Sequence, residues 1–410
     1  MIHFKKPPLM AFVAIATSLL ACTTARADAV CDWNTKAGEI IVSAKMGPPP
    51  ANRAMAVVNT AVYEAVNAIT KRYPAGALKL EAAPGASVNA AIAAANRTAL
   101  SKLLPSQQSA IDNAYQAAML KIADGAAKNS GIAVGEQAAV AVLTARADDG
   151  AVAGEAYRPQ TAAGVYVPTV VPAAPHWPQR KPWLMSSPAQ FRPGPPPALT
   201  SQLWARDYNE IKALGGKSSS RRTAEQTQIA SFWEATLPPI YTGIVLSIAD
   251  VPDREITQNA RLFAAVSQAA DDALVAVFDA KYHYNFWRPV TAIRNGDLDG
   301  NDATERDASW TPFIETPMHP EYPCAHCTMA GAVGTVVQAD IGSGSPALTT
   351  TSYLVKGSSR KWAKIEEFVQ EVSTARIYDG VHFRNSTEVG TALGKQVGAL
   401  AVEKFLRRSD

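Results

Sequence analysis

Most of the chain shows apolar residues recurring every three or four positions, interrupted by one long stretch where no period holds. The stretch PPPANRAMAVVNTAVYEAVNAI, which starts at Pro48, opens with prolines and then runs at helical spacing, which predicts a buried helix over 51–69 begun by proline. Residues 88–104, 107–123 and 134–147 predict further alanine-rich helices, and the period resumes at 203–214 and 224–235. A helix over 255–281 carries Phe263, Val266, Ala270, Leu274, Val277 and Phe278 on one face. Lys281 follows Val277 by four residues and Leu274 by seven, so it falls on that same buried face. Ile365, Phe368, Val369 and Val372 form a second stripe, which runs into Arg376 and stops at Asp379-Gly380. Asn385 with Glu388 predicts a capped restart whose inner face is Val389, Leu393, Val397 and Leu400. No run alternates with the two-residue period of a strand, so the expected fold is all-α, a helical bundle.

The stretch without a period is rich in proline, glycine and small residues, with Tyr166, Trp177 and Trp183 scattered through it, and reads as an irregular connection held down by those aromatics. The expected organisation is a leader over 1–27, amino-terminal helices over 28–147, the connection over 148–198, and a carboxyl-terminal helical part over 199–410, with 28–410 forming one compact unit. A chain of 410 residues, 47% hydrophobic and 18% charged, is long enough for a large core. Lys5 and Lys6, the apolar run Leu9 to Ala21 and the small-residue site Ala25-Arg26-Ala27 together predict a secretory signal and a periplasmic or secreted protein. A lipoprotein anchor at Cys22 is the weaker match, because Leu20 is bulky for that pattern. Losing Lys5, Lys6 and Arg26 would bring the formal charge from +3 to neutrality, which argues against nucleic acid as a partner, and no other run is long enough to span a membrane. Cys31, Cys324 and Cys327 remain in the mature chain, enough for one intramolecular disulfide.

Chemistry concentrates between Lys281 and Arg384, where four of the six histidines lie in three motifs: KYHYNFWRP from Lys281, HPEYPCAHC from His319 and ARIYDGVHFR from Ala375. Buried cations on separate helices are costly unless they meet something negative, either acidic residues in structural salt bridges or a bound anion. Pro323 before Cys324-Ala325-His326, followed by Met329, Ala330, Ala332, Val333, Val336 and Val337, predicts a helix amino terminus, which favours an anion.

Lys281 through Arg288-Pro289, the turn Pro323 to His326, and Arg376 followed by His382 together resemble the vanadium-dependent haloperoxidase and type 2 phosphatidic-acid phosphatase superfamily. The PPPANRAMAVVNTAVYEAVNAI and NFWRPVTAIR segments are similar to its haloperoxidase-like bacterial branch. The resemblance implies that Lys281, Arg288 and Arg376, with Cys324 and Ala325 at the turn, hold the oxygens of vanadate or phosphate. It implies that His382 ligates vanadium or attacks phosphorus and that His326 is the acid/base. Cys324 replaces the usual serine and Ala325 the usual glycine, and Ser386 stands four residues after His382 where many members carry the aspartate that orients that histidine. His319 resembles the bromoperoxidase residue at its position, and His319, His283 and Ser386 complete the pocket candidates.

The expected activity is a peroxidase that uses vanadate and hydrogen peroxide to oxidise halide; a phosphomonoesterase working through a phosphohistidine is the alternative, and a non-enzymatic periplasmic oxyanion-binding protein a third reading. Cys324 and Cys327 also form a CxxC, but a c-type haem needs a histidine directly after the second cysteine, and zinc needs further ligands. The Asp297 to Asn301 segment fails as a calcium loop because its glycine comes early and Ala308 stands at the final ligand position, so it reads as a polar surface turn.

Overall fold

The computed structural model describes residues 28–74, 78–344 and 347–406, so the leader read from residues 1–27, Cys22 included, lies outside the described residues. The described residues form thirteen α-helices in chain order: α1 (Ala29–Ser43), α2 (Pro48–Thr70), α3 (Val88–Leu103), α4 (Gln108–Met119), α5 (Ala126–Ala145), α6 (Gln202–Leu214), α7 (Ala224–Trp233), α8 (Pro239–Ala249), α9 (Ile256–Tyr284), α10 (Pro289–Arg294), α11 (Ala325–Ile341), α12 (Ile365–Tyr378) and α13 (Arg384–Ala401). A small antiparallel hairpin, β1 (Leu348–Thr351) with β2 (Ser359–Trp362), is the departure from an all-helical chain, and it pairs Leu348 with Trp362 and Thr351 with Ser359. The hairpin rests on α8, where the Thr350 hydroxyl donates to the Ile240 carbonyl at 2.8 Å.

Helix α9 is the axis of the fold, buried on nearly every side from Thr257 to Lys281. On one side it packs against α2, which also contacts α3 and α5; on the other it packs against α11 and α13. Polar residues register the α2 contact, since Asn59 Nδ2 donates to Ser267 Oγ and Gln268 Nε2 to Thr60 Oγ1, both at 2.9 Å. These bonds satisfy groups that would otherwise be buried unpaired.

The connection over 148–198 is tied down mostly by acids on α9, with its aromatics in a smaller part. Asp272 accepts the backbone amides of Trp183, Leu184 and Met185 at 2.7–3.1 Å, and Asp271 accepts from the Trp183 indole at 2.8 Å. Arg180, fully buried, bridges Asp271 at 2.6 Å and Asp149 at 2.8 Å. Tyr166 and Trp177 are buried as the composition suggested, but Trp183 is only half-buried. An Arg180→Lys variant should lose about 2 kcal/mol, because a point-charge ammonium cannot bridge two carboxylates as the planar guanidinium does. Urea unfolding together with limited proteolysis of residues 180–192 checks this; unchanged cleavage would mean that the bridge does not hold the connection.

The Asp297 to Asn301 turn is less superficial than its composition implied. Asp299 is 5% exposed and accepts from the Trp204 indole at 2.7 Å and from the Thr304 hydroxyl.

Candidate oxyanion site

The last turn of α9 carries Lys281 into the interior with no exposed surface. Its Nζ donates to the carbonyls of Pro320 at 2.8 Å and Glu321 at 2.7 Å, which uses two of its three hydrogens. Arg288, 1% exposed, stands just before Pro289 at the start of α10. It donates from Nε to the His319 carbonyl and from one terminal nitrogen to the Val381 carbonyl, each at 2.8 Å. That same nitrogen lies 3.3 Å from His382 Nε2, and the other terminal nitrogen 3.0 Å from His319 Nδ1. Arg376, also 1% exposed, extends from the last turn of α12, donates to the Trp233 carbonyl at 3.0 Å and pairs with Asp379. Its Nε is buried with no hydrogen-bond partner.

Three cations therefore face two buried carboxylates, Glu321 and Asp379. Burial, opposed by the neighbouring cations, pushes both carboxyl groups up to about 7. Burial, reinforced by Arg288 and Arg376, holds Lys281 well below the ordinary lysine range, and burial brings Arg288 down to about 10. Such a balance calls for an additional negative charge.

The guanidinium settles the histidine tautomers, because it can only donate. His382 Nε2 therefore carries the lone pair facing Arg288, and Nδ1 carries the proton that it donates to Glu321 Oε1 at 2.9 Å. The same oxygen accepts the Phe383 amide at 3.0 Å. His319 Nδ1 is likewise an acceptor, so its 3.2 Å approach to the Pro320 carbonyl is a close contact rather than a hydrogen bond. The His319 ring leans on Phe278, with centroids 5.1 Å apart. His326, 9% exposed, meets the Ala235 carbonyl through Nε2 at 3.2 Å, which leaves Nδ1 as its free nitrogen. Burial first, and the surrounding cations next, hold His319, His326 and His382 well below the usual imidazole range, so all three are neutral at pH 7.

Helix α11 begins where the Pro-Cys-Ala-His turn predicts, with Cys324 as its cap. The amides of Ala325 and His326, its first two residues, have no acceptor within the helix and point out of its amino end. Cys324 is disulfide-bonded to Cys327, and its sulfur accepts the Cys327 amide at 3.2 Å. Its side chain therefore has no hydrogen to offer an anion. Cys31 is a free, buried cysteine, and among the described residues no cluster of three or more His, Cys, Asp and Glu side chains could hold a metal ion.

The structure gathers Lys281, Arg288, His319, Cys324, Ala325, His326, Arg376 and His382 at one place and sets His283 apart. His283 is exposed on the outer side of the last turn of α9 and stacks edge-on against Tyr284. Ser386 is buried within this region, but its hydroxyl makes no hydrogen bond. It is near enough to help lower the Glu321 pKa while falling outside hydrogen-bond geometry. The spacing of the motifs did not point to Glu321, although it lies inside the second of them. The charge partner of His382 comes not from four residues after it but from 61 positions earlier. Its place between two prolines in a motif otherwise free of acids was the available signal.

Residues 261–410 match the family model of the VCPO second helical-bundle domain. A stretch of 153 residues is 31% identical to vanadium chloroperoxidase from Curvularia inaequalis, covering 31% of this chain and 25% of that protein. The fold is similar to a crystal structure of a bacterial vanadium-dependent iodoperoxidase, with a TM-score of 0.79 and 23% identity over 93% of this chain and 98% of that one. It is also similar to a bacterial vanadium-dependent chloroperoxidase in its apo form, with a TM-score of 0.72 and 18% identity over 88% and 95% of the two chains.

Proposed function

We propose, from the kinship of residues 261–410 with the vanadium haloperoxidase helical bundle, that this protein is an exported vanadium-dependent peroxidase that oxidises halide with hydrogen peroxide. The observation that carries this reading is the neutral His382, its Nε2 lone pair directed at the Arg288 guanidinium among three buried cations. The donors left over fit a tetrahedral oxyanion: the unpartnered Arg376 Nε, the third hydrogen of Lys281, and the Ala325 and His326 amides. Vanadate held by these groups and by His382 Nε2 would supply Lewis-acid activation of peroxide without a change of oxidation state.

The chain's own residues do the rest. Lys281, Arg288 and Arg376 neutralise charge on the oxygens, and their burial makes each interaction stronger than it would be in water. His326, with Nε2 engaged by the Ala235 carbonyl, presents the free Nδ1 as the nitrogen that would take a proton from an incoming acid. The three backbone carbonyls of Trp233, Ala235 and His319 fix Arg376, His326 and Arg288 without adding negative charge to the site. The proposed location outside the cytoplasm is supported by the Cys324–Cys327 disulfide, a bond that persists in oxidising compartments.

One observation favours phosphomonoester hydrolysis as the second reading: an imidazole backed by a carboxylate through Nδ1 is also the arrangement of an attacking histidine. Assaying one preparation for halide oxidation with vanadate and peroxide, and for phosphomonoester hydrolysis without vanadate, tests both. Activity confined to the second assay overturns the peroxidase reading, and activity in neither leaves oxyanion binding alone.

A further inference from the structure

Among the described residues, Glu321 is where all three motifs meet. Its backbone amide donates to the Phe286 carbonyl at 2.9 Å, and its own carbonyl accepts from Lys281 Nζ at 2.7 Å, so both main-chain groups engage the first motif. Its carboxylate accepts from His382 Nδ1 and the Phe383 amide, which belong to the third. The side chain is completely buried, and Oε2 has no partner. A buried carboxylate with an unpartnered oxygen is expensive to keep, and the neighbouring Lys281 and Arg288 offset part of that cost. Its geometry matches two tasks at one site.

We infer that Glu321 is the positioning carboxylate of the oxyanion site, holding His382 with its proton on Nδ1 and its lone pair toward the bound anion while its main chain fixes Lys281 on the same centre. The inference rests on the oxyanion reading above and deepens it. Position 386, where a carboxylate one helical turn past His382 could do this work, carries a hydroxyl that makes no hydrogen bond. Glu321, which bonds His382, also anchors a cation through its carbonyl, so histidine orientation and lysine placement are set by one backbone segment. Glu321 touches neither substrate nor the oxygens of the anion; it acts through His382 and Lys281.

The test compares Glu321→Gln, Glu321→Leu and the double variant Glu321→Leu with Ser386→Asp. Orthovanadate and orthophosphate dissociation constants are read by calorimetry, and the His382 tautomer by nitrogen NMR of the anion-free protein. Glutamine keeps an acceptor and loses the charge, so its affinity should fall about tenfold, whereas leucine removes both and should cost about a hundredfold. Leucine should also turn the single Nδ1–H tautomer into a mixture. Aspartate at 386 should restore the tautomer and bring affinity back to within about threefold of wild type, which a purely structural role for Glu321 would not produce. Wild-type affinity and an unchanged tautomer in Glu321→Leu would overturn the inference, as would failure of Ser386→Asp to restore either. A wild-type protein that binds neither anion would sink the oxyanion reading instead, and the tautomer would then decide Glu321 by itself.

Discussion

His382→Ala should lower turnover at least ~1000-fold, whichever of the two reactions the protein performs, and should abolish high-affinity vanadate binding. The size follows from where the ring sits. Its Nε2 is the neutral imidazole nitrogen that faces the cation cluster, so no other side chain in contact with Arg288 can replace it as a ligand or nucleophile except His319, whose Nδ1 is engaged by the other guanidinium nitrogen. Truncation leaves a cavity of roughly imidazole shape, with Glu321 at its back. Added imidazole should therefore recover a measurable fraction of activity, and a folded variant, checked by circular dichroism, separates lost chemistry from lost structure. Retention of most of the activity would show that the site is assigned to the wrong histidine.

Helical phase placed Lys281 and Arg376 in the interior correctly, because each follows at helical spacing a stripe whose other members are apolar. The same reasoning could not reach Glu321 or Asp272. Both make their contacts across sequence distances for which no spacing rule exists: Glu321 bonds to His382, and Asp272 to a loop nearly ninety positions away. His283 failed for the opposite reason, since nearness to Lys281 in sequence put it on the other side of the helix. The expected cap of Asn385 with Glu388 is likewise absent. Helix α13 starts at Arg384, and its first donors go to distant acids, the Phe383 amide to Glu321 and the Asn385 amide to Asp207 at 2.8 Å. Helices α1 and α8 escaped the pattern as well, although the buried residues of α8, Ile240, Tyr241, Ile244, Val245, Ile248 and Ala249, recur at helical spacing.

Helix α13 shows a further limit, and a substitution there has the largest expected effect on stability. Of the four residues read as its inner face, Leu393 and Val397 are buried, whereas Val389 and Leu400 are only partly so. The rest of the buried face is Ser386, Thr387, Gly390, Gly394, Gly398 and Ala401, residues that register weakly or not at all on a hydrophobic scale. They let the backbone of α13 lie directly on α11. A Cβ on Gly394 would stand 2.0 Å from the Thr328 carbonyl oxygen and 2.9 Å from the Ala332 amide nitrogen, and one on Gly390 would stand 2.6 Å from the Cys324 carbonyl oxygen. These neighbours are main-chain atoms of a helix and cannot swing aside. Gly394→Ala should therefore force the two helices apart and cost about 4 kcal/mol or more, although alanine is the better helix former. Gly154→Ala, in open space with nothing within 4 Å, is the control and should leave stability nearly unchanged. The consequence reaches the site, because the Cys324 amide donates to the Ser386 carbonyl at 3.1 Å, joining the start of α11 to the first turn of α13 just past His382. Separating the helices should thus weaken orthovanadate binding along with the unfolding midpoint. Loss of stability with unchanged affinity would show that the oxyanion turn is held from elsewhere.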